Sequence, residues 1–516
     1  MQKNDNAPIP QKAQAYPPLS GLPLAVITFA LPLATFMQVL GTTIANVGVP
    51  TIAGILGASS TQGTWIITSY SIANAIVLPI SGWLARRFGE VRVFLSAAAL
   101  FALSSFMCGM ATTLEVLVVF RVVQGAVAGP ILPLAQSLLF NNYPVAKRYM
   151  AIALWSMVVS VAPICGPIIG GWICDNYDWH WVFFINVPVA ALAIFLVWTI
   201  LGRRETTRVK LPISYVGLSL LVLGIGSLQM MLDRGKELDW FNSNTVITLA
   251  VIAVVALTYL VIWELTDDNP VVDLRMFASR NFTIAVICIS LGRMAFFGTV
   301  VLLPLLLQTQ YGYTATLAGL AAAPVGLLQV LLLPLYGRYA KFFDLRVIIT
   351  CGFLLFGFCM YTRTWFTPDM DIWSVIIPQF MQGLANMLFF PSLIALAFST
   401  LKPEQVARGA SLYHCCHTTG SAIGSSVVVT MWERREAVHH THLTEHIDIY
   451  NPLAQEALER LQDIGYDELQ SALHLAREVT KQGFIIAANE IYWACMLLFL
   501  GLITVIWMAK PVKQQT

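Results

Sequence analysis

Residues 117–171 decide the fold, reading LVVFRVVQGAVAGPILPLAQ from Leu117, then NNYPVAKR, then ALWSMVVSVAPICGPIIGG to Gly171. Two apolar runs, each close to the ~20 residues that span a bilayer, enclose a short polar loop. Arg121 lies inside the first run, where a guanidinium costs roughly 2.5–3.5 kcal/mol on insertion. On a helix it shares one face with Gln124. Because such a charge normally faces a cavity or a partner, the stretch predicts a membrane pathway and not a passive anchor.

The same stretch is rich in glycine, which lets two helices approach closely. Gly125 lies beside the charged face, and Gly166 and Gly170 are four positions apart, with Gly171 following. Pro167 lies between them and bends or weakens a helix because it lacks a backbone N–H. The pattern fits either a gated pathway or simple tight packing of helices.

The composition is that of an integral membrane protein. Hydrophobic residues make up 57% of the 516 residues and charged residues 11%, with a mean hydropathy of +0.71, whereas soluble domains carry about 25% charged residues. The net charge of +2 gives no reason to expect nucleic acid. No GxxxxGKS or GxxxxGKT string is present for ATP, and the cysteines form no disulfide or metal pattern. We therefore expect a transporter without ATP or cofactor, and not an enzyme.

Fourteen apolar stretches are long enough to cross a membrane, so the chain is predicted to be an all-α polytopic membrane protein. They centre near Leu33, Ala73, Leu100, Gly129, Val161, Leu192, Leu223, Val255, Gly298, Gly326, Leu355, Met387, Ser421 and Leu498.

Landmarks of the first half recur roughly 255 residues later, which is typical of a duplicated transporter with its site where the repeats meet. We predict a six-helix bundle in residues 22–204, two inserted helices in residues 205–265 and a second six-helix bundle in residues 281–509. The matched pairs are Gly82 and Gly337, Gln124 and Gln382, Gly166 and Gly420, and Gly170 and Gly424.

Lysine and arginine crowd the short loops on one side of the predicted helices, whereas the opposite short loops carry only Arg234, Lys236 and Arg363. Basic loops stay in the cytoplasm. Residues 1–21 and 510–516 are therefore predicted to be cytoplasmic tails.

A long polar segment, residues 433–483, is predicted on the outer side between the last two helices. Its apolar residues recur at helical spacing, so we expect amphipathic helices that cap the transport mouth or dock a partner, or else a loosely ordered loop. The apolar positions are Ala454, Leu458 and Leu461, then Leu469, Leu473 and Ala476. The histidines of this segment, some with ligand spacing, are ordinary for an exposed helix start, and no metal site is predicted; they are His439, His440, His442 and His446.

Several motifs resemble EmrB-like multidrug exporters, the fourteen-helix drug:proton antiporter branch of the major facilitator superfamily. They are QVLGTTIANVGVPTIAG, TQGTWIITSYSIANAI, RVVQGAVAGP, ALWSMVVSVAPICGPIIGG, WVFFINVP, SLQMMLDRGKELDW and WELTDDNP. The resemblance runs from about Leu22 to Pro511. It implies proton-driven export of apolar, often weakly acidic compounds across the bacterial inner membrane, with a periplasmic adaptor protein and an outer-membrane channel as partners.

The loop from Gly82 to Arg92 resembles the superfamily's G-x-L-a-D-r-x-G-r loop, but Arg86 occupies the usual acidic position. Arg87 and Gly89 match the pattern. The resemblance implies a gating role, although topology alone also places basic residues there.

Charge departs from the family pattern in three helices. The first has Gly41 where the family has an acidic residue, and the ninth has Arg293 where a neutral residue is expected. The thirteenth carries His414 and His417 on one face, the second where the family has arginine.

We predict that His414 and His417 carry the proton, because the imidazole pKa near 6.5 suits the gradient. Alternatively they only bond across helices, and the chain is uncoupled or relies on Asp175 or Glu490. A channel, or a dedicated exporter of a metabolite such as a siderophore, also stays open. The predicted pathway is lined by Gln38, Thr42, Asn46, Arg121, Gln124, Trp155, Gln379, Gln382, Asn386 and His414.

Overall fold

The computed structural model describes residues 17–206, 208–209, 212–445, 447 and 451–511. All regular structure among them is helical, which confirms the predicted all-α class. Twelve of these helices are long and apolar enough to cross a membrane. These twelve and two further long helices of the described residues are numbered here in chain order. They are α1 (Gly21–Ile55), α2 (Trp65–Phe88), α3 (Glu90–Gly109), α4 (Leu114–Asn142), α5 (Arg148–Asn176), α6 (Trp181–Leu201), α7 (Tyr215–Arg234), α8 (Asn244–Thr266), α9 (Arg280–Gln310), α10 (Leu317–Phe342), α11 (Leu345–Arg363), α12 (Ile372–Phe398), α13 (Pro403–Thr444) and α14 (Glu468–Trp507).

The two remaining helices, α5 and α13, are less uniformly apolar than the twelve. In α5 the apolar stretch found is the shorter Arg148–Ala162. In α13 histidines, threonines and serines occupy the middle, and charged residues follow Met431. Fourteen spans therefore stays a prediction.

The internal repeat is present in the packing. In the first half α1 packs on α5 and α2 on α4, and in the second half α9 packs on α13 and α10 on α12. A Cβ atom at Gly125 would collide with the carbonyl oxygen of Tyr70, and one at Gly383 with that of Val325. Val325 is the residue 255 positions after Tyr70. The same backbone approach is thus built twice.

Helix α7, which we predict to be inserted together with α8, contacts both halves. Helix α7 packs on α8 and on α2. At its end, the indole of Trp240 donates to Thr430 Oγ1 of α13 at 2.9 Å, and Lys236 pairs with Glu433 at 2.7 Å. The insertion therefore touches α2 of the first bundle and α13 of the second.

The two bundles meet closely at the end of the molecule where α1 begins and α4 ends, here called the terminal side. A Cβ at Gly82 of α2 would lie 2.8 Å from the Cα of Arg408 in α13. A Cβ at Gly337 of α10 would lie 3.1 Å from the Cα of Met150 in α5. The predicted landmark glycines are therefore contact points between the bundles.

The predicted outer segment is largely a continuation of membrane helices. α13 runs to Thr444, α14 starts at Glu468, and a short helix, Pro452–Asp463, lies between them. Its Ala454 is buried, as an amphipathic helix requires. Leu469 and Leu473, however, are 69% and 51% exposed, because α14 turns Ser471 and Val479 inward instead.

Arg363 was predicted in an outer loop, and this prediction is wrong. It is the last residue of α11 and only 1% exposed. The apolar run ends there, but the helix carries the guanidinium inward to polar partners on α12.

Candidate transport site

A cluster of polar and aromatic side chains joins the two bundles at their contact. Nε2 of His414 (α13) lies 2.7 Å from Oε1 of Gln136 (α4), and both residues are buried. The ring of Trp155 (α5) is 5.7 Å from that of His414 and stacks at 6.4 Å on Phe390 (α12). The predicted residues His414 and Trp155 are therefore brought together.

His417 and Arg293 extend this cluster within the second bundle. The His417 ring lies 5.8 Å from the His414 ring and 5.7 Å from Phe390. The Arg293 guanidinium lies 4.3 Å from the ring of Phe297 and 5.4 Å from Phe390. Neither nitrogen of His417 has a partner among the described residues, so a titratable group stands free beside an arginine.

A second cross-bundle bond involves the residue that corresponds to His414 in the repeat. Ser160 of α5, the residue 254 positions before His414, accepts from Nε2 of Gln329 (α10) at 2.7 Å. Oε1 of Gln329 in turn accepts from Asn386 (α12) at 2.7 Å. This bond contains no titratable group, unlike the one at His414.

Arg121 is fully buried inside the first bundle. Its Nε donates to the carbonyl of Ile66 at 3.0 Å and its NH1 to Oε1 of Gln124 at 2.8 Å. The guanidinium carbon lies 4.3 Å from the ring of Tyr70. A buried charge in such surroundings needs its hydrogen bonds, because desolvation is costly.

Two of the predicted residues of α1 lie near the hydroxyl of that tyrosine. The Tyr70 hydroxyl faces the side chains of Gln38 and Thr42. Gln38 is 6% exposed, and its Oε1 has no partner among the described residues. Asn46, also predicted here, has a side chain outside the described residues.

The predicted glutamines of α12 form a third cluster, separate from the other two. Gln379 and Gln382 are buried, and both accept from Arg363 of α11. The structure thus divides the predicted pathway into a central cluster and one polar cluster inside each bundle.

The glycine-rich loop between α2 and α3 receives a carboxylate from elsewhere. Gly89 has φ +100°, which favours glycine. Glu205, after α6, accepts from the backbone N–H groups of Val91 and Arg92 at 3.1 Å each. A carboxylate therefore caps α3 although Arg86 replaces the expected acid. Arg87 lies instead against the ring of Trp83, at 5.5 Å.

The matching loop of the second bundle has its own acid. Asp344, 255 positions after Gly89, accepts from the backbone of Arg346 at 2.9 Å and pairs with its guanidinium at 2.7 Å. The Arg346 side chain holds the pKa of the Asp344 carboxyl below its ordinary value.

The position of Gly41 in α1 faces α6 and α3. A Cβ there would lie 3.4 Å from the carboxamide of Asn186 (α6) and 3.5 Å from Phe101 (α3). Asn186 also donates to Ser105 Oγ at 3.2 Å. The place of the family's first-helix acid is therefore inside the first bundle.

Two glycines of α5 lie close to α1. A Cβ at Gly166 would collide with Thr43, and one at Gly170 would lie 3.1 Å from the carbonyl oxygen of Ile44. A Cβ at Gly171 would meet nothing within 4 Å. The Pro167 side chain lies outside the described residues.

Within the described part of the chain, no three His, Cys, Asp or Glu residues form a group that could hold a metal ion. His439 lies 3.1 Å from Glu490, which also pairs with Arg435 at 2.7 Å. His446 lies outside the described residues.

Sequence reasoning missed three polar residues of these clusters. Gln136 and Gln329 are amides inside apolar helices, a visible signal at membrane depth. The repeat pairs α11 with α3, and this pairing places Arg363 at the end of a membrane helix and not in a loop.

A known protein family, two relatives and one solved structure resemble this chain over most of its length. The Major Facilitator Superfamily profile matches residues 31–263 and 282–431. The chain is 54% identical to the multidrug export protein EmrB of Haemophilus influenzae over 97% of this chain and 98% of that one. It is 52% identical to the fatty acid resistance protein FarB of Neisseria gonorrhoeae, over 96% and 98%. The solved proton:xylose symporter XylE superposes with a TM-score of 0.59 at 15% identity, covering 96% of this chain and 97% of that chain. The resemblance to EmrB-like exporters is confirmed, and the chain, a multi-pass membrane transporter and not an enzyme, belongs to the major facilitator superfamily.

Proposed function

We propose that this transporter exports small, largely apolar toxic compounds, such as drugs, dyes and uncouplers, across the bacterial inner membrane by proton antiport. The observation that carries the proposal is the bond between His414 and Gln136, which joins the two bundles through a titratable side chain. Alternating access requires contacts between bundles that form and break, and this one responds to protonation.

The direction of access follows from the bundle contacts. The close approaches at Gly82 and Gly337 lie on the terminal side, which the basic loops assign to the cytoplasm. The described conformation is then closed toward the cytoplasm. Opening toward that side must separate Gly82 from Arg408 and Gly337 from Met150.

The histidines carry the proton better than the alternatives do. α1 contains no Asp or Glu, and an arginine effectively never deprotonates. Glu490 is held by Arg435 and His439, so it is already neutralised by partners. The side chain of Asp175 lies outside the described residues.

The charges of the interior favour weakly acidic substrates. Arg121, Arg293 and Arg363 take part in no ion pair found among the described residues. Their positive charge attracts an anion and disfavours a cation. Aromatic rings beside Arg293 supply the apolar surface that such compounds need.

The outer extension is the proposed docking surface of a periplasmic adaptor protein, which would connect to an outer-membrane channel. Leu453, Leu469 and Leu473 are exposed there by 74%, 69% and 51%, and exposed apolar groups mark interaction sites. Deleting residues 443–481 is expected to abolish resistance while transport in vesicles persists. A gentler variant replaces the three leucines with Ser, with Glu459→Ser/Ala472→Ser as control. Resistance that survives both changes excludes docking here.

A dedicated exporter of a metabolite such as a siderophore, with altered or absent proton coupling, is the second candidate. The observation in its favour is Gly41, which leaves α1 without a titratable group.

Uptake into inside-out vesicles tests both candidates, because export from the cell appears there as accumulation inside the vesicle. Uncouplers, dyes and siderophores are assayed with the proton gradient intact and dissipated. Accumulation of several apolar compounds that stops when the gradient collapses supports the first candidate. Transport of a single metabolite that does not depend on the proton gradient supports the second.

A further inference from the structure

Arg363 is a buried charge that the proposed function uses only as part of a positive interior, without a role for its hydrogen bonds. It is 1% exposed at the end of α11. One nitrogen, NH2, donates to Oε1 of Gln379 at 2.8 Å and also to Oε1 of Gln382. The ring of Tyr492 lies 5.6 Å from the guanidinium carbon. A buried charge inside a membrane protein costs free energy, so its presence indicates a functional role.

The internal repeat shows which residues of the first bundle it corresponds to. Arg363 is the residue 255 positions after Cys108, whose sulfur lies 3.8 Å from Oε1 of Gln124. Gln382 is the residue 258 positions after Gln124. Gln379 is the residue 258 positions after Arg121. The guanidinium therefore comes from α4 in the first bundle and from α11 in the second, but it reaches the equivalent glutamine.

The two clusters also share their surroundings. Each guanidinium lies near a tyrosine ring, 4.3 Å away for Tyr70 and 5.6 Å for Tyr492. Each cluster leaves one arginine nitrogen, one glutamine amide and one tyrosine hydroxyl without a partner among the described residues. These atoms are Arg121 NH2, Gln124 Nε2, the Tyr70 hydroxyl, Arg363 Nε, Gln382 Nε2 and the Tyr492 hydroxyl.

We propose that Arg363 is the counterpart of Arg121 in the second bundle, a positioning residue that fixes Gln379 and Gln382 on α12. A planar guanidinium can hold two carbonyl oxygens in a fixed orientation. A glutamine without that donor keeps several rotamers and leaves a buried oxygen unpaired. The inference rests on the proposed function, because it assigns these glutamines to the transport pathway.

The first bundle supplies the design of the test. Arg363→Cys removes the guanidinium, and Arg363→Cys/Gln379→Arg rebuilds the arrangement of Cys108, Arg121 and Gln124 in the second bundle. Efflux rate per molecule, apparent KM and melting temperature in detergent are measured for both. Gln379→Arg alone is the control for the added arginine, and Arg363→Lys tests whether charge without the planar fork suffices.

We expect Arg363→Cys to lower the maximal rate about tenfold to a hundredfold, the usual effect of a misplaced functional group. KM should change less, and the melting temperature should fall. The double variant should recover most of the rate and the melting temperature, and Arg363→Lys should recover little. A wild-type rate in Arg363→Cys overturns the inference, and so does a double variant that stays as slow as the single one.

The two proposals fail separately. If the wild-type chain exports none of the compounds, the proposed function fails. The melting temperatures then decide the inference: recovery in the double variant supports it, and no recovery overturns it.

Discussion

The two bundles share one close contact between helix backbones, but the arginine of their polar clusters lies on different helices. Gly125 and Gly383 each admit a backbone carbonyl at matching positions, that of Tyr70 and that of Val325. The arginine that holds the equivalent glutamine, however, comes from different helices. A backbone contact is fixed by the helix path, whereas a long side chain can reach one point from either neighbour. In this pair of clusters the glycine contact is therefore the same in both halves, whereas the helix that supplies the charge is not.

Disrupting the glycine contact that both bundles share should have the largest effect. Gly125→Val and Gly383→Val would each drive a side chain into a backbone carbonyl, which costs at least about 1–3 kcal/mol. We expect both variants to be lost from the membrane, measured by immunoblot and by melting in detergent. Gly171→Val is the control, since a Cβ there meets nothing within 4 Å. Loss of only one of the two variants would show that the halves do not pack alike.

Removing the guanidinium of the first bundle should abolish transport but not folding. Arg121→Ala leaves Gln124 without its donor but creates no backbone clash. We expect near-normal protein in the membrane and efflux reduced about a hundredfold or more, measured in vesicles. Disappearance of the protein from the membrane would show instead that Arg121 is structural.

The internal repeat and the helices could be predicted because they follow from periodic features of the chain. Arg121 could be predicted as a buried charge because it lies inside an apolar run. Apolar length predicts a span, and glycines at a constant offset predict a duplicated contact. The partner of Arg121 was also within reach, since Gln124 lies one turn away on the same helix.

Contacts between distant helices could not be predicted from the sequence. Nothing in the spacing of α13 shows that His414 meets Gln136, because that contact depends on how the two bundles close. Arg363 was misplaced because the apolar run ends there, although the helix turns its side chain inward. The exposure of Leu469 and Leu473 on α14 could not be predicted either, because helical spacing does not show whether a face meets a neighbour within the chain.

The two cross-bundle bonds differ in whether they contain a titratable group, and that difference can be tested. His414 can titrate and Ser160 cannot. We expect His414→Gln/His417→Gln to lose gradient-driven efflux while downhill exchange persists, because glutamine can bond to Gln136 but cannot carry a proton. Ser160→Ala, which removes the other bond, should slow both modes together. If the double histidine variant still concentrates substrate against its gradient, the histidines do not couple.

The smallest expected effect concerns the first helix, where the halves differ in charge. α1 has Gly41 and no acid, whereas α9 carries Arg293 beside the histidines. A Cβ at Gly41 fits at ordinary contact distance from Asn186 and Phe101, so Gly41→Asp should fold, with its carboxyl facing the Asn186 carboxamide. That site is inside the first bundle, away from His414. A carboxyl there adds a second titrating group, and we expect the pH dependence of efflux to shift modestly while the maximal rate changes little. Gly41→Asn is the matched control, because it has the same size without a titrating proton. If Gly41→Asp and Gly41→Asn give the same pH profile, α1 takes no part in proton coupling and the second bundle carries the proton alone.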